Sequence, residues 1–181
     1  MPTFVALLRG INVGKAKRVP MVELRALLSD LGYTGVATLL NSGNAVFNAA
    51  TGSTAWHAGQ IAAAISSRMA LDVPVVVKSA KELAAIIGEN PLVASATDES
   101  RLLVVFVQQP RALADLKGIE PLVKPPEQLA IGKSAAYLHC AMGILASKAG
   151  EAMLAHAGKS VTTRNWATVR KLQALVAESA V

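Results

Sequence analysis

The sequence contains a single cysteine, Cys140, in 181 residues. An intrachain disulfide is therefore excluded, and a reducing compartment suits the chain. Histidine is also scarce, and the three histidines stand at no spacing that would hold zinc with Cys140. His139 is adjacent to Cys140, and neighbouring residues of a strand face opposite sides, which argues against a catalytic dyad. We expect the other two histidines, His57 and His156, to lie on the surface of helices, and we predict no metal site.

Aromatic residues make up only 4% of the chain, whereas hydrophobic residues make up 52%. The core must therefore be built mainly from Ala, Val, Leu and Ile. Phe4, Phe47, Phe106 and Tyr137 are single aromatics inside apolar runs, a pattern that favours a core position over a base-stacking RNA surface. The RNP1 pattern is also absent from the sequence. A module that contacts only the nucleic-acid backbone stays open as an alternative.

Long apolar runs are missing as well, since none approaches the roughly 20 residues of a membrane-spanning helix. The N-terminus, Met-Pro-Thr-Phe, has neither a basic n-region nor a long apolar h-region. No signal peptide is indicated by that pattern. We therefore expect a cytoplasmic protein with no membrane among its partners.

The chain carries a net charge of +6, and the stretch from Leu8 to Pro20 contains no acidic residue. That stretch holds four cations, Arg9, Lys15, Lys17 and Arg18. It also holds three residues that tolerate loop conformations with outward-pointing N–H groups, Gly10, Asn12 and Gly14. A basic loop of this kind between a strand and a helix is a candidate anion site.

The spacing Gly10-x-x-x-Gly14-Lys15 resembles a P-loop but is one residue short between the glycines. Ala16 also stands where a magnesium-binding Ser or Thr is required. We therefore expect no nucleotide triphosphatase loop. Two interpretations stay open, a looser cradle for a phosphate and a solvated surface loop.

The hydrophobic pattern of the first half predicts strand, helix, strand, strand, helix, strand. These elements fall at Phe4–Leu8, from Pro20 to Gly32, at Val36–Leu40 and Ala45–Phe47, from Thr54, and at Val73–Val77. This is the split βαβ order of ferredoxin-like domains. We predict an antiparallel sheet with its helices on one face over residues 3–78.

A second round of elements follows a short helix closed by Gly88 and a linker at residues 89–100. Its predicted strands are Leu102–Val107, Leu129–Ile131 and Ala135–Cys140, and its predicted helices follow Pro110 and cover Leu145–His156. A last strand is not predicted, because Thr162-Thr163 read as the cap of a final helix that bears Trp166. The fold class is therefore α/β (α+β), a ferredoxin-like half at residues 1–88 and an incomplete second half at 101–181, in one compact two-lobed unit.

Two further polar motifs accompany the basic loop, the hairpin turn Asn41-Ser-Gly-Asn44 and the segment Thr162–Trp166. Each has a structural interpretation, as a tight turn and as a helix cap, in which Arg164 would pair with Glu127 or Glu151. Each could also add polar groups to an anion site, since a helix N-terminus favours anions. We predict one composite ligand site from both halves, formed by Arg9, Asn12, Lys15, Lys17, Arg18, Asn41, Ser42, Asn44, Arg164 and Asn165.

Several motifs together resemble DUF1697, a family of uncharacterised bacterial proteins. They are Val5–Gly14, Val19-Pro-Met21, Asn41–Asn44, Asn90-Pro91, Thr162–Trp166 and Thr168-Val169. The resemblance covers nearly the whole chain and implies an α/β protein with ferredoxin-like halves, but no activity. Family members commonly have Gly where this chain has Lys15, and Gln where it has Asn41.

Three functions of different classes follow from these observations. The first is binding of, or action on, a phosphorylated or otherwise anionic small molecule, and a concave pocket would favour it. The second is a nucleic-acid-binding module, which a continuous basic stripe would favour. The third is a structural or partner-binding protein, which a large exposed apolar patch would favour. The sequence specifies neither a reaction nor a cofactor.

Overall fold

The computed structural model describes residues 1–14, 17–156 and 161–179, without the side chain of His156. Its contacts divide the chain into two units. One contains Met1–Leu83 together with the chain from Lys171 onward, and the other is Ala84–Arg170. The division into domains at a linker of residues 89–100 stays a prediction. Among the described helices, none has the length and apolarity required to cross a bilayer.

The first unit has the element order predicted for it, with a four-stranded antiparallel sheet. Its elements are β1 (Thr3–Leu8), α1 (Met21–Asp30), β2 (Thr34–Leu39), β3 (Asn44–Asn48), α2 (Thr54–Met69) and β4 (Val75–Ser79). The strands lie in the order β2-β3-β1-β4, and every neighbouring pair is antiparallel. The predicted βαββαβ arrangement over residues 3–78 is therefore confirmed.

The core of the first unit lies on the sheet face that α1 and α2 cover. Alternate residues of β1, such as Phe4 and Leu8, belong to the same buried cluster as Leu27 of α1 and Ile61 of α2. Apolar residues at helical spacing form this face of each helix, and the buried area is the main source of stability. Ser53 caps α2, since the Trp56 N–H donates to Ser53 Oγ at 3.1 Å.

A helix, α3 (Ala80–Gly88), leads into the second unit, which also contains a four-stranded antiparallel sheet. The elements that follow are β5 (Leu102–Val107), a 3₁₀ helix (Pro110–Leu122), β6 (Gln128–Ile131), β7 (Ala135–His139), α4 (Lys148–His156), β8 (Val161–Asn165) and α5 (Trp166–Ser179). The strand order β6-β7-β5-β8 repeats the order of the first sheet. The α/β fold class is confirmed.

The second half was expected to lack its last strand, and β8 shows that this expectation is wrong. Val161, Thr162 and Thr163 are β-branched, which suits a strand, and Val161 and Thr162 are buried. The segment pairs with β5 along its whole length. Thr162 and Thr163 therefore do not cap a helix. Asn165 performs that role, because its Oδ1 accepts the Thr168 N–H at 2.9 Å.

The predicted linker falls within the second unit, where two short 3₁₀ turns begin in it and one of its side chains binds the β6–β7 hairpin. The half-buried Glu89 carboxylate accepts the backbone N–H groups of Ser134 and Ala135 at 2.9 and 3.1 Å. It also accepts the Tyr137 hydroxyl at 3.0 Å. Burial and this carboxylate both raise the pKa of Tyr137. Glu89 thus fixes the β6–β7 turn.

The expectation that His57 is a surface residue is wrong, because its side chain is 0% exposed. Its ring packs against Phe4, Phe47 and Trp56, and its Nδ1 lies 2.8 Å from the Tyr33 hydroxyl. Aromatic contacts and a hydrogen bond make a buried neutral imidazole favourable. Burial lowers the pKa of His57. The side chain of His156 lies outside the described residues.

Candidate functional site

The loop from β1 to α1, residues 9–20, is attached to the first unit at its beginning. The Leu8 N–H donates to the Gly43 carbonyl at 2.8 Å, and the Arg9 N–H donates to the Pro74 carbonyl at 2.9 Å. Gly43 has a φ of 80°, and a Cβ there would lie 2.7 Å from side-chain atoms of Leu8 and Ile11. Only glycine allows the hairpin turn to approach the loop this closely.

Asn12 holds the loop closed through its side-chain amide. Its Nδ2 donates to the carbonyls of Val19 and Asn41 at 2.9 and 2.7 Å, while its Oδ1 accepts the Val19 N–H at 2.9 Å. Its φ of 56° is left-handed, a conformation that Asn tolerates better than most residues. Asn12 therefore joins the two ends of the loop and the β2–β3 turn, which is a structural role.

The loop side of α1 opens onto a concave space of about 310 Å³. Its walls come from the loop, the first residue of α1 and the hairpin turn, namely Asn12, Gly14, Arg18, Val19, Pro20, Met21 and Asn41. Pro20 precedes the first residue of α1, and among the described residues no side chain caps that end of the helix. The N-terminus of α1 thus borders a cavity whose lining combines the cation Arg18 and two asparagines with apolar residues.

The cations of the loop differ in what they contact. The Lys17 ammonium donates to the Asp72 carbonyl at 2.6 Å, so part of its donor capacity is already used. Arg18 is exposed and lines the cavity, and within the described ranges its side chain makes no hydrogen bond or ion pair. Arg9 is half-buried, and burial lowers its pKa. Lys15 lies outside the described residues.

The hairpin turn contributes less to the cavity than its sequence suggests. Asn44 is fully buried, and its Nδ2 donates to the Leu39 carbonyl at 2.8 Å and to Ser42 Oγ at 3.0 Å. Asn44 therefore stabilises the turn, and Ser42 is its partner. Asn41 lines the cavity, with its carbonyl bound by Asn12.

Arg164 and Asn165 belong to the second unit, where they end β8. The Arg164 guanidinium donates to Thr162 Oγ1 at 2.9 Å and to the Thr163 carbonyl at 2.7 Å. Burial lowers its pKa to about 10. Arg164 is thus part of a strand rather than of a helix N-terminus, and its share in a composite site with the basic loop stays a prediction.

Of the ten predicted ligand residues, the cavity lining contains Asn12, Arg18 and Asn41. The sequence interpretation did not include Val19, Pro20 and Met21, which complete the wall at the start of α1. The signal for them was Pro20, because a proline at the start of a helix leaves no side-chain oxygen to cap it. Within the ranges 1–14, 17–156 and 161–179, no cluster of three His, Cys, Asp or Glu side chains could hold a metal ion.

Comparisons with known proteins agree with this architecture. A conserved bacterial protein, SP0830 from Streptococcus pneumoniae, has a solved structure that matches with a TM-score of 0.75 and 22% sequence identity. The match covers 97% of this chain and 98% of that chain, and at this identity it shows the fold alone. Among curated proteins, none matches the sequence significantly.

A family model described as "Protein of unknown function (DUF1697)" matches residues 1–137. The matched range includes the Met1–Leu83 part of the first unit, with the basic loop and the hairpin turn, and it continues through most of β7. The resemblance found in the sequence motifs is confirmed by this match. The chain therefore belongs to the DUF1697 family of proteins of unknown function.

Proposed function

We propose that this protein binds the phosphate group of a small molecule at the cavity in front of α1. The observation that carries the proposal is the coincidence of a helix N-terminus without a side-chain cap and the cation Arg18 on one cavity of about 310 Å³. Oriented N–H groups and a guanidinium are the two donor types that proteins use for phosphate.

The donors at the start of α1 are backbone groups. The first intrahelical bond runs from the Leu24 N–H to the Pro20 carbonyl at 3.0 Å. The N–H groups of Met21, Val22 and Glu23 precede it, and the first N–H groups of a helix have no intrahelical acceptor. A phosphate oxygen supplies such an acceptor, and the positive end of the helix dipole favours its charge.

The charges of the loop favour binding of an anion, and one acidic residue in the first turn of α1 opposes it. Arg18 and Lys17 precede α1, and no acid lies between residues 8 and 20. Glu23 lies in the first turn of α1, where it interacts favourably with the dipole and competes with a bound anion. Because Glu23 is exposed, solvent screens this competition.

Binding of inorganic phosphate by isothermal titration calorimetry tests the proposal. Arg18→Ala should weaken binding by about ten-fold or more, since a charge-assisted donor is lost. Lys17→Ala together with Arg18→Ala should weaken it further. Arg111→Ala is the matched control, because Arg111 is an exposed arginine of the second unit and its loss changes the net charge equally. Unchanged affinity in the Arg18 variant, or equal loss in the Arg111 variant, would overturn the proposal.

Titration with short oligonucleotides distinguishes a small-molecule site from a nucleic-acid-binding surface. A backbone-contacting module would bind short oligonucleotides with an affinity that falls steeply and linearly in log units with salt. We expect only weak, sequence-independent binding of that kind. The strand order supports a ferredoxin-like fold for each unit, but such folds host many functions, so the proposal rests on the cavity and its donors.

A specific observation also favours a second candidate function, binding of a protein partner by the second unit. Leu145 is fully exposed, Met142 is 72% exposed and Leu154 is 45% exposed. Leu145 and Leu154 also line a groove of about 490 Å³. Clustered exposed apolar residues are typical of interaction sites. Sedimentation equilibrium tests self-association through this groove, since Leu145→Asp should abolish it and Val93→Asp should not.

A further inference from the structure

We infer that the groove of the second unit is an interface between two copies of this chain, in which the Leu145 side chain of each copy enters the groove of the other. This inference rests on the second candidate function, binding of a protein partner, and it names that partner. Its basis is a surface that carries two matching parts. One part is a groove with a carboxylate in its wall, and the other is a protruding leucine with an ammonium group beside it.

Leu145 protrudes from a turn that hydrogen bonds hold in place. It is the middle residue of a 3₁₀ turn, Ile144–Ala146, and its side chain is fully exposed. The Ser147 N–H donates to the Ile144 carbonyl at 3.2 Å and closes the turn. The buried Ser147 Oγ accepts the Gly150 N–H at 2.9 Å, which joins the turn to the start of α4. Because the turn is already ordered, binding through Leu145 has a small cost in conformational entropy.

The groove lies next to this leucine and has room for the same side chain from another molecule. Its volume is about 490 Å³, and it is lined by Ile144, Leu145, Glu151, Leu154 and Ala155. A cavity of about 150 Å³ is enough to hold a benzene molecule. An apolar side chain that moves from water into such a groove stabilises the complex in proportion to the area it buries.

Glu151 determines which kind of partner the groove accepts. Its carboxylate side chain lines the groove, and in the described part of the chain it makes no hydrogen bond or ion pair. A partner that is only apolar would bury this charge without a counter-ion, which costs free energy. The side chain that enters the groove must therefore have a cation close to it.

The chain itself offers that combination. Lys148 follows Leu145 by three residues, is exposed, and makes no ion pair with any described residue. Lys148 and Glu151 share one face of α4, because residues three apart are neighbours on a helix. A two-fold axis through this face places the Lys148 of each copy opposite the Glu151 of the other, so the same contact forms twice. Met142 lines a hollow of about 230 Å³ together with Lys148 and extends the apolar surface on that side.

Two properties of the chain limit the affinity of this contact. The net charge of +6 makes two copies repel each other, and salt at about 150 mM screens the repulsion beyond roughly 8 Å. One helix and one turn form an interface at the small end of the known range, in which a standard interface buries about 800 Å² per partner. We therefore expect a dimer with a dissociation constant of about 1–100 µM at this salt concentration.

Sedimentation equilibrium of the full chain tests the inference. Leu145→Asp should weaken the dimer by at least about 30-fold, because a central apolar side chain is replaced by a charge. Lys148→Glu and Glu151→Lys each place like charges opposite each other, so each variant alone should dimerise about ten-fold more weakly. An equal mixture of these two variants restores both ion pairs in a heterodimer. The mixture should therefore dimerise within about three-fold of the wild type.

Matched controls come from the 3₁₀ helix of the same unit. Lys117 and Glu120 are exposed, stand three residues apart and line neither hollow of this surface. Lys117→Glu and Glu120→Lys change the net charge by the same amounts as the test variants and should dimerise within about two-fold of the wild type. The thermal unfolding midpoint of every variant shows that it is folded.

The outcomes separate this inference from the second candidate function. A wild type that stays monomeric at about 500 µM overturns the inference. Immobilised wild type that then captures another protein from a cell lysate, where Leu145→Asp does not, leaves partner binding in place with a different partner, and capture by neither overturns that function as well. A dimer that Leu145→Asp leaves unchanged, a mixture that is no stronger than its single variants, or equal losses in the control variants would each overturn the inference.

Discussion

The two units have the same strand order but join the first strand to the following helix in different ways. In the first unit, residues 9–20 connect β1 to α1 and form the basic loop beside the cavity. In the second unit, only Gln108 and Gln109 connect β5 to the 3₁₀ helix that begins at Pro110. One sheet architecture therefore carries a long cationic connection in one copy and a short uncharged connection in the other.

The hairpin turns of the two units also differ in how they are held. In the first unit the amide of Asn12 binds the turn at the Asn41 carbonyl. In the second unit the Glu89 carboxylate accepts the N–H groups of Ser134 and Ala135. The second unit thus supplies its own carboxylate to a set of backbone donors, whereas the α1 N-terminus has no capping side chain among the described residues.

The closing strands, which are the last strands of the two sheets in sequence, β4 and β8, are in contrast alike in detail. Lys78 pairs with Val5 of β1, and Arg164 pairs with the equivalent residue Val104 of β5. Both cations are buried, and each is followed by a residue that caps the next helix. These similarities and differences indicate that the two sheets share one architecture, whereas the connecting loops differ between the units.

The largest effect that we predict comes from a substitution in the loop that connects β1 to α1. Asn12→Ala removes three hydrogen bonds and places alanine at a φ of 56°, so the free energy of unfolding should fall by about 3 kcal/mol. Urea denaturation measures this change. Gln109→Ala, at the short connection of the second unit, should change stability by less than about 0.5 kcal/mol.

Asn12→Gly serves as the matched control for this result. Glycine accepts a positive φ without strain but cannot make the three hydrogen bonds. If both variants lose the same stability, the amide clamp is the cause, and a smaller loss in the glycine variant measures the backbone strain. A wild-type stability in both variants would show that the loop is not held by Asn12.

The next largest effect comes from a substitution that removes the support of the β6–β7 turn in the second unit. Glu89→Ala leaves the N–H groups of Ser134 and Ala135 without their acceptor, so unfolding should become easier by about 2 kcal/mol. Chemical denaturation followed by circular dichroism measures the loss. Tyr137 retains its second bond, to the Ile86 carbonyl at 2.6 Å, which limits the damage. Glu89→Gln keeps an acceptor oxygen and should recover part of the stability, and equal losses in both variants would contradict this account.

A smaller effect tests whether the two closing strands are equivalent. Ser79 and Glu82 form a capping box, in which the Glu82 N–H donates to Ser79 Oγ at 3.2 Å and the Ser79 N–H donates to Glu82 Oε2 at 2.7 Å. Asn165 caps α5 with one bond to Thr168. Ser79→Ala and Asn165→Ala should each lower stability by about 1 kcal/mol. Effects that differ by more than about two-fold would show that the two caps are not equivalent.

The sequence predicted the first unit well because its signals are local. Apolar runs predict β1 and β4, and helical spacing places Leu24, Leu27 and Leu28 on one face of α1. Strand β8, which the sequence analysis did not predict, lacks such a local signal, since Thr162, Thr163 and Arg164 are polar or charged. Their burial depends on contacts that no local pattern contains, and a polar run before a helix is also what a cap requires.

The candidate site was predicted in part for a similar reason. The absence of acids identified the basic loop, and Arg18 and Asn41 line its cavity. Residue type alone could not separate Asn12, whose amide is used within the loop, from a ligand-binding asparagine. It likewise could not assign Lys17 to the Asp72 carbonyl, because that contact joins residues far apart in the chain.

The last prediction concerns the cores, and the change in stability that it describes is expected at acidic pH. The core of the first unit contains Phe4 and Phe47 around the buried His57, whereas Leu103 and Leu138 stand at the paired positions of the second unit. Burial lowers the pKa of His57 below its ordinary value of 6.5, and the Thr51 backbone opposes this change more weakly.

The sign of the pH dependence follows from that direction. Well above pH 6.5 the imidazole is neutral in both the folded and the unfolded chain, so its protonation takes nothing from the stability there. As the pH falls below 6.5, the unfolded chain takes up a proton that the folded core resists, so stability decreases until the folded pKa is passed. His57→Gln should remove this decrease, and subtracting its unfolding free energy from that of the wild type cancels the titration of the carboxylates. The difference between the two proteins should be constant above neutral pH and fall toward pH 5, and a difference that stays constant throughout would show that His57 is protonated equally in both states.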